Sequence, residues 1–200
     1  MKLSNRFTLT RVLLSPIFFL LYFIPIWTGG SFSRVSMCIG IPLLAFMEFT
    51  DYLDGHYARK HNEVSDFGKH FDPFADVIVH MSTFVCLMRS CSPEGGYMPA
   101  FIFILILYRE MTMNFLRMVA VTKGTTIAAR KGGKVKTVVY VISGFYGFFL
   151  ETLVRFNVEL ECFGILKNVS LGLFVLCVVL SYISFTDYLV HFGKVLKELK

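Results

Sequence analysis

From Val12 to Ser33 the chain runs 22 residues without a charged side chain, and Asn168 to Thr186 forms a second long charge-free run. A helix needs roughly 20 apolar residues to cross a hydrocarbon core, so the first run is long enough to do so. Inside a bilayer the backbone must satisfy its own hydrogen bonds, which a helix does within one segment. Composition points the same way: 55% of the 200 residues are hydrophobic, 17% are charged, and there are 22 Phe and 9 Tyr. Soluble chains carry roughly 25% charge. A soluble globule, a disordered chain, a disulfide-framed secreted scaffold and a fibre are all excluded. The expected fold class is an all-α polytopic membrane protein.

Six membrane segments are expected, at about 10–28, 33–57, 70–90, 97–121, 136–155 and 165–189. The linkers are too short for a second domain, so residues 1–200 are read as one membrane domain. The start, Met1-Lys2-Leu3-Ser4-Asn5-Arg6, looks like the basic lead of a signal peptide, but no small-residue cleavage site follows, and a retained first helix is expected. Cys38, Cys86, Cys91, Cys162 and Cys177 are scattered, with no CxxC, and read as small packing residues.

Only the first segment, from Val12 on, and 168–186 of the last are long runs free of charge. The second, third and fourth each continue toward one end as a helix carrying ionisable residues, so polar chemistry gathers at one membrane face. Charge bias names that face. Lys2, Arg6, Arg11, Arg59, Lys60, Lys69, Lys123, Arg130, Lys131, Lys134, Lys136, Lys194, Lys197 and Lys200 fall on one side, against Arg34, Arg89, Arg155 and Lys167 on the other. By the positive-inside rule both termini are cytoplasmic, in the cell (inner) membrane. Basic residues spread over four juxtamembrane places are a topology signal, not a nucleic-acid surface.

The most informative stretch is Thr50 to Asp76, TDYLDGHYARKHNEVSDFGKHFDPFAD. Asp51, Asp54, Gly55 and Ala58 stand at i, i+3, i+4 and i+7, one face of a helix. Gly68, Asp72 and Asp76 stand at i, i+4 and i+8 and form a second stripe. Two such helix ends, joined by a short turn, bring four carboxylates together at the interface. Like charges so placed repel unless cations neutralise them. Carboxylate oxygens are what hard divalent ions such as Mg²⁺ take, leaving positions for substrate phosphates. Gly55, Gly68 and Ala58 keep the faces low where a ligand approaches the backbone. Arg59 adds a permanent cation suited to phosphate.

This string resembles the signature of CDP-alcohol phosphotransferases, D-x-x-D-G-x-x-A-R, eight residues, then G-x-x-x-D-x-x-x-D, at every fixed position over residues 51–76. The resemblance implies six helices around a cytoplasm-facing interfacial site that holds two metal ions, Mg²⁺ or Mn²⁺, and receives a CDP-linked lipid. It assigns metal binding to Asp51, Asp54, Asp72 and Asp76, and the catalytic base to Asp76. Outside the signature, Asn5-x-x-Thr8-x-x-Arg11, Arg109-Glu110 and Gly133-Lys134-Val135-Lys136-Thr137 look like stretches of the bacterial phosphatidylglycerophosphate synthase branch. Two positions depart from that branch: Val77 stands where Lys is usual, and Glu48 where small residues are common.

The implied reaction is attack of an alcohol on the lipid-linked phosphate of CDP-diacylglycerol, with release of CMP. Asn5, Thr8, Gly55, Ala58, Arg59 and Gly68 are the expected CDP-lipid contacts. Glycerol 3-phosphate, a dianion, needs its own cations, and Arg109, Arg117, Lys134 and Lys136 are the candidates. Arg109 and Arg117 share a helical face, deep enough that a charge there marks either a functional site or an internal pair with Glu110 or Asp187. Inositol phosphate, choline or serine as acceptor is the alternative within the same chemistry. An ion-coupled transporter is the remote alternative; it places acids near mid-bilayer, whereas these gather at one end beside glycines and Arg59. A membrane prenyltransferase wants two aspartate-rich sites, and one is present. The five histidines, His56, His61, His70, His80 and His191, show no metal spacing, and His56, His61 and His70, which border the aspartates, are read as solvated surface. Family resemblance also implies a homodimer.

Overall fold

Six helices and no strand make up the described residues: α1 (Leu3–Trp27), α2 (Ser33–Lys60), α3 (Asp66–Leu87), α4 (Ala100–Thr122), α5 (Lys131–Arg155) and α6 (Phe163–Lys197). The computed structural model describes residues 3–60, 66–122 and 131–197, with side chains except at 3–5, 52, 54–60, 66, 67, 69, 70, 122, 131 and 192–197. Four stretches are long and apolar enough to cross a membrane, Arg6–Trp27, Ser33–Asp51, Gly132–Arg155 and Phe163–His191. Six crossings were expected; α3 and α4 fall outside the four. The physical reason is charge: α4 carries Arg109, Glu110 and Arg117 in its length, and α3 opens on its aspartates.

The helices alternate in direction, so the first turns of α1, α3 and α5 share one end of the bundle with the last turns of α2, α4 and α6. Local chemistry sets the first reversal. Gly29 and Gly30 take left-handed φ values of 68° and 99°, and the Gly30 amide donates to the Pro25 carbonyl at 2.7 Å. This six-to-one closure stops α1 and turns the chain into α2. From Arg11 to the end of α1 is about 24 Å, and from the start of α2 to Asp51 about 27 Å, at 1.5 Å per residue. The hairpin therefore returns Asp51 to the level of Arg11.

The core is aromatic. Phe18, Tyr22, Phe84, Tyr140, Phe148 and Phe174 are essentially inaccessible, and Phe84 stands edge-on to both Tyr140 and Phe174 with ring centres 5.2 and 5.5 Å away. Such tilted contacts set the quadrupoles edge to face. α5 comes unusually close to α3: a Cβ added at Gly147 would lie 2.6 Å from a Leu87 methyl, and one at Gly144 would lie 3.0 Å from the Thr83 methyl. That approach lays Lys136 and Tyr140 of α5 along Asp76 and His80 of α3. Phe101, Tyr108, Phe115 and Met118 of α4 face outward, as lipid-facing residues do.

The end of the bundle away from the aspartates is tied by a buried ion pair. Arg155 Nε donates to Glu151 Oε1 at 2.7 Å, while Tyr97 Oη at 3.0 Å and the Cys91 amide at 3.1 Å also donate to Glu151. Arg155 reaches on to Ser36 Oγ at 2.6 Å and the Tyr22 carbonyl at 3.1 Å. Buried charge is tolerable when its hydrogen bonds are made, and these bonds join α1, α2, α5 and the α3–α4 loop. The five cysteines are free thiols.

Candidate active site

At the other end, three helices present their polar residues to one another. Arg11 of α1 is buried, its side chain 2% exposed, and one nitrogen, Nη1, donates to both Asp51 Oδ1 of α2 and Asp76 Oδ1 of α3 at 2.6 Å each. One turn before, the fully buried Thr8 hydroxyl donates to Asp72 Oδ1 at 2.6 Å. Charge-assisted bonds of this length are the strong kind. Asp51 and Asp76 stay about a third accessible, at 39% and 34%. The guanidinium thus fixes the carboxylates without covering them.

Of the two expected aspartate stripes, Asp51 and Asp76 meet at Arg11, while Asp72 lies one turn away on Thr8. Gly68 is buried in the first turns of α3. Asp54, Gly55, Ala58 and Arg59 fall within α2, but their side chains, like that of Asn5, lie outside the described residues. Thr8, expected at the CDP-lipid, is placed on Asp72. Arg11 stands in the sequence as a topological charge and as the last residue of the Asn5-x-x-Thr8-x-x-Arg11 stretch, with no site role assigned, and it is the residue that joins the two stripes. The signal available for it was its place three residues after Thr8 on the same face of α1.

The donors suit a divalent ion by chemistry. Asp51 and Asp76 oxygens that reach one nitrogen can also reach one cation, and all are hard carboxylate oxygens. Among the described residues no set of three His, Cys, Asp or Glu side chains closes on a single point.

Asp76 also faces a second compartment. A cavity of ≈ 150 Å³ between α3, α4, α5 and α6 is lined by Asp76, His80, Arg109, Glu110, Arg117, Lys134, Lys136 and Tyr140, with Pro73, Val77, Gly133, Thr137 and Tyr188. All four basic residues singled out for the acceptor line it, in the company of the candidate base. The expected internal pair is there too: Glu110 Oε1 accepts from Arg109 Nη1 at 2.9 Å, Lys136 Nζ at 2.7 Å and Tyr140 Oη at 3.0 Å. Arg109 Nε donates to the Ser181 carbonyl at 2.9 Å, and Lys136 lies over the Tyr140 ring at 4.7 Å. Glu110 orders two cations at once. Four cations against two carboxylates leave the wall positive, and Arg117 Nε is buried without a hydrogen-bond partner among the described residues. A small dianion fits that balance; an apolar tail does not.

His80, to which the sequence assigns no role beyond the absence of metal spacing, is 8% exposed and lines this cavity. Its spacing carried no signal, because the groups around it come from α5.

The family model described as CDP-alcohol phosphatidyltransferase matches residues 1–183. A protein of Treponema pallidum (strain Nichols) named CDP-diacylglycerol–glycerol-3-phosphate 3-phosphatidyltransferase is 37% identical over 205 residues, covering 100% of this chain and 93% of its own length. Proteins of the same name from Bacillus subtilis (strain 168) and Rickettsia typhi (strain ATCC VR-144 / Wilmington) are 34% and 30% identical, over 71% and 68% of this chain and 74% and 70% of their own lengths.

Proposed function

The chain belongs to the CDP-alcohol phosphatidyltransferase family, and from that premise we propose that it transfers the phosphatidyl group of CDP-diacylglycerol to sn-glycerol 3-phosphate, giving phosphatidylglycerophosphate and CMP. The observation that carries this reading is the position of Asp76. It belongs both to the carboxylate cluster with Asp51 and Arg11 and to the wall of the cation-lined cavity.

Enzymes of this family depend on divalent metal. Asp51, Asp54, Asp72 and Asp76 are the residues to hold two such ions, Mg²⁺ or Mn²⁺. The chemistry the ions supply when bound is neutralisation of charge on the pyrophosphate oxygens and on the departing CMP. Arg11 keeps Asp51 and Asp76 in place, and Thr8 keeps Asp72 in place. Asn5, Thr8, Gly55, Ala58, Arg59 and Gly68 flank the CDP-lipid, with the small residues giving the nucleotide room. Arg109, Arg117, Lys134 and Lys136 bind the acceptor phosphate, and the acceptor hydroxyl then lies toward Asp76. Asp76 takes the hydroxyl proton as the oxygen attacks the lipid-linked phosphorus and the bond to CMP breaks.

Donor acyl chains stay in the bilayer and CMP leaves to water, so the site lies at the interface. The basic excess on that side places it, with both termini, at the cytoplasmic face of the cell membrane. Residues 1–200 act as one such domain, in a homodimer.

Arg109→Ala separates the two substrates. One charged hydrogen-bond donor to a phosphate is worth roughly 1.5–3 kcal/mol, or about tenfold to a hundredfold in affinity. The expected result is a rise of that size in KM for glycerol 3-phosphate, with little change in KM for CDP-diacylglycerol. Equal rises in both would remove Arg109 from the acceptor site.

A further inference from the structure

Among the residues lining the cavity, His80 has an open hydrogen-bonding position and no role in the phosphate or proton chemistry. Its Nδ1 lies 2.6 Å from the Asp76 backbone carbonyl. A carbonyl only accepts, so Nδ1 carries the hydrogen, and in the neutral ring Nε2 is left as an acceptor. Nε2 is buried and has no hydrogen-bond partner among the described residues. The ring cannot turn freely to find one. Its centre lies 5.6 Å from that of Tyr140 and 6.5 Å from that of Phe84, both edge-on. A buried acceptor left unmade costs stability, and each such group in a native protein calls for a physical explanation. A hydrogen-bond donor brought to Nε2, such as an O–H group, would complete this arrangement.

Glycerol 3-phosphate, on whose role as acceptor the inference rests, has two hydroxyls. One reacts, and Asp76 is its base. The other, on C2, has no partner among the groups that bind the phosphate or take the proton. His80 stands one turn along α3 from Asp76 and lines the same cavity as the cations. We infer that His80 Nε2 accepts a hydrogen bond from the non-reacting C2 hydroxyl of the acceptor, and so orients the terminal hydroxyl toward Asp76. His80 is on this reading a specificity-determining residue for a vicinal diol phosphate over a simple alcohol phosphate.

The test compares two acceptors in CMP release by the full-length protein with CDP-diacylglycerol: sn-glycerol 3-phosphate, and 3-hydroxypropyl phosphate, which lacks only the C2 hydroxyl. A site built around a substrate hydroxyl discriminates strongly against the analogue without it. Wild type should favour glycerol 3-phosphate in kcat/KM by at least about tenfold. His80→Phe should bring the ratio close to one, and a fold defect alone would lower both acceptors and leave the ratio standing. Should His80→Phe not fold, His80→Asn and His80→Gln decide. The Asn amide overlays Nδ1 and keeps only the anchor to Asp76, so preference is lost; the Gln amide reaches toward Nε2, so part of it is kept. Normal wild-type turnover with a ratio that no substitution moves overturns the role of His80 alone. Turnover by wild type with some other alcohol, and none with glycerol 3-phosphate, overturns the acceptor assignment and this inference together.

Discussion

Asp76→Asn is expected to abolish CMP release and to leave the protein folded in detergent. Asn has the shape of Asp and can still accept from Arg11 Nη1, so the tie between α1 and α3 survives the change. On the proposed mechanism, what is lost is the group that takes the proton, together with one negative charge in the aspartate cluster. Positioned proton transfer alone contributes about 10²- to 10⁴-fold, so the fall in kcat is expected to be at least that large. Substrate binding should suffer less than turnover, as when an interaction belongs to the transition state. Asp51→Asn and Asp72→Asn remove charge from the same cluster and should inactivate as well. More than about a tenth of wild-type CMP release, a barrier change under about 1.4 kcal/mol, would exclude the altered residue from the site.

Arg11→Met should be nearly as damaging, for a different reason. Arg11 is the cation shared by Asp51 and Asp76, and its side chain is 2% exposed. Without it, two carboxylates on adjacent helices face one another; at 4 Å and an effective dielectric near 20 that repulsion is about 4 kcal/mol. Met fills the volume but compensates no charge. The expected result is a lower melting temperature and turnover at least about tenfold below wild type even with saturating metal, again roughly 1.4 kcal/mol of barrier. Arg11→Lys restores the charge without the planar fork and should recover part of both. A thermal scan beside a CMP assay reads the two effects together. Wild-type turnover in Arg11→Met would mean that Asp51 and Asp76 need no positioning from α1.

The contrast between Asp51 and Arg11 explains what the sequence made legible. Aspartates at i, i+3 and i+4, i+8 fall on one face by helix geometry alone, so Asp51, Asp72 and Asp76 could be grouped from local spacing. Arg11 meets Asp51 and Asp76 across 40 and 65 residues, and only the packing of α1 on α2 and α3 creates those contacts. The same holds for His80, which meets Tyr140 through the close approach at Gly144 and Gly147. Arg109 and Glu110 could be paired as neighbours, but that Glu110 also takes Lys136 depends on how α4 and α5 lie.

Helix number was legible because each apolar stretch is bounded by Gly, Pro or charge. Ends were less so. α3 begins at Asp66, before the expected 70, because the aspartate-rich stretch is itself helical; α4 starts at Ala100, just after Pro99. α6 continues to Lys197, past the expected 189, since a helix leaving the apolar layer has no reason to stop at its edge. Apolar length alone marks four crossings and not six. The helices it leaves out, α3 and α4, are those that carry Asp76, His80, Arg109 and Arg117. Residues that make a helix poor at crossing lipid are the ones that line the cavity.

The most direct measurement is CMP release by the purified protein with CDP-diacylglycerol and Mg²⁺, run in parallel with glycerol 3-phosphate, inositol phosphate, serine and choline, and with the lipid product identified by mass. A cavity with Arg109, Arg117, Lys134 and Lys136 beside Asp76 predicts CMP release with glycerol 3-phosphate and an equal amount of phosphatidylglycerophosphate. Faster release with inositol phosphate, serine or choline would contradict it.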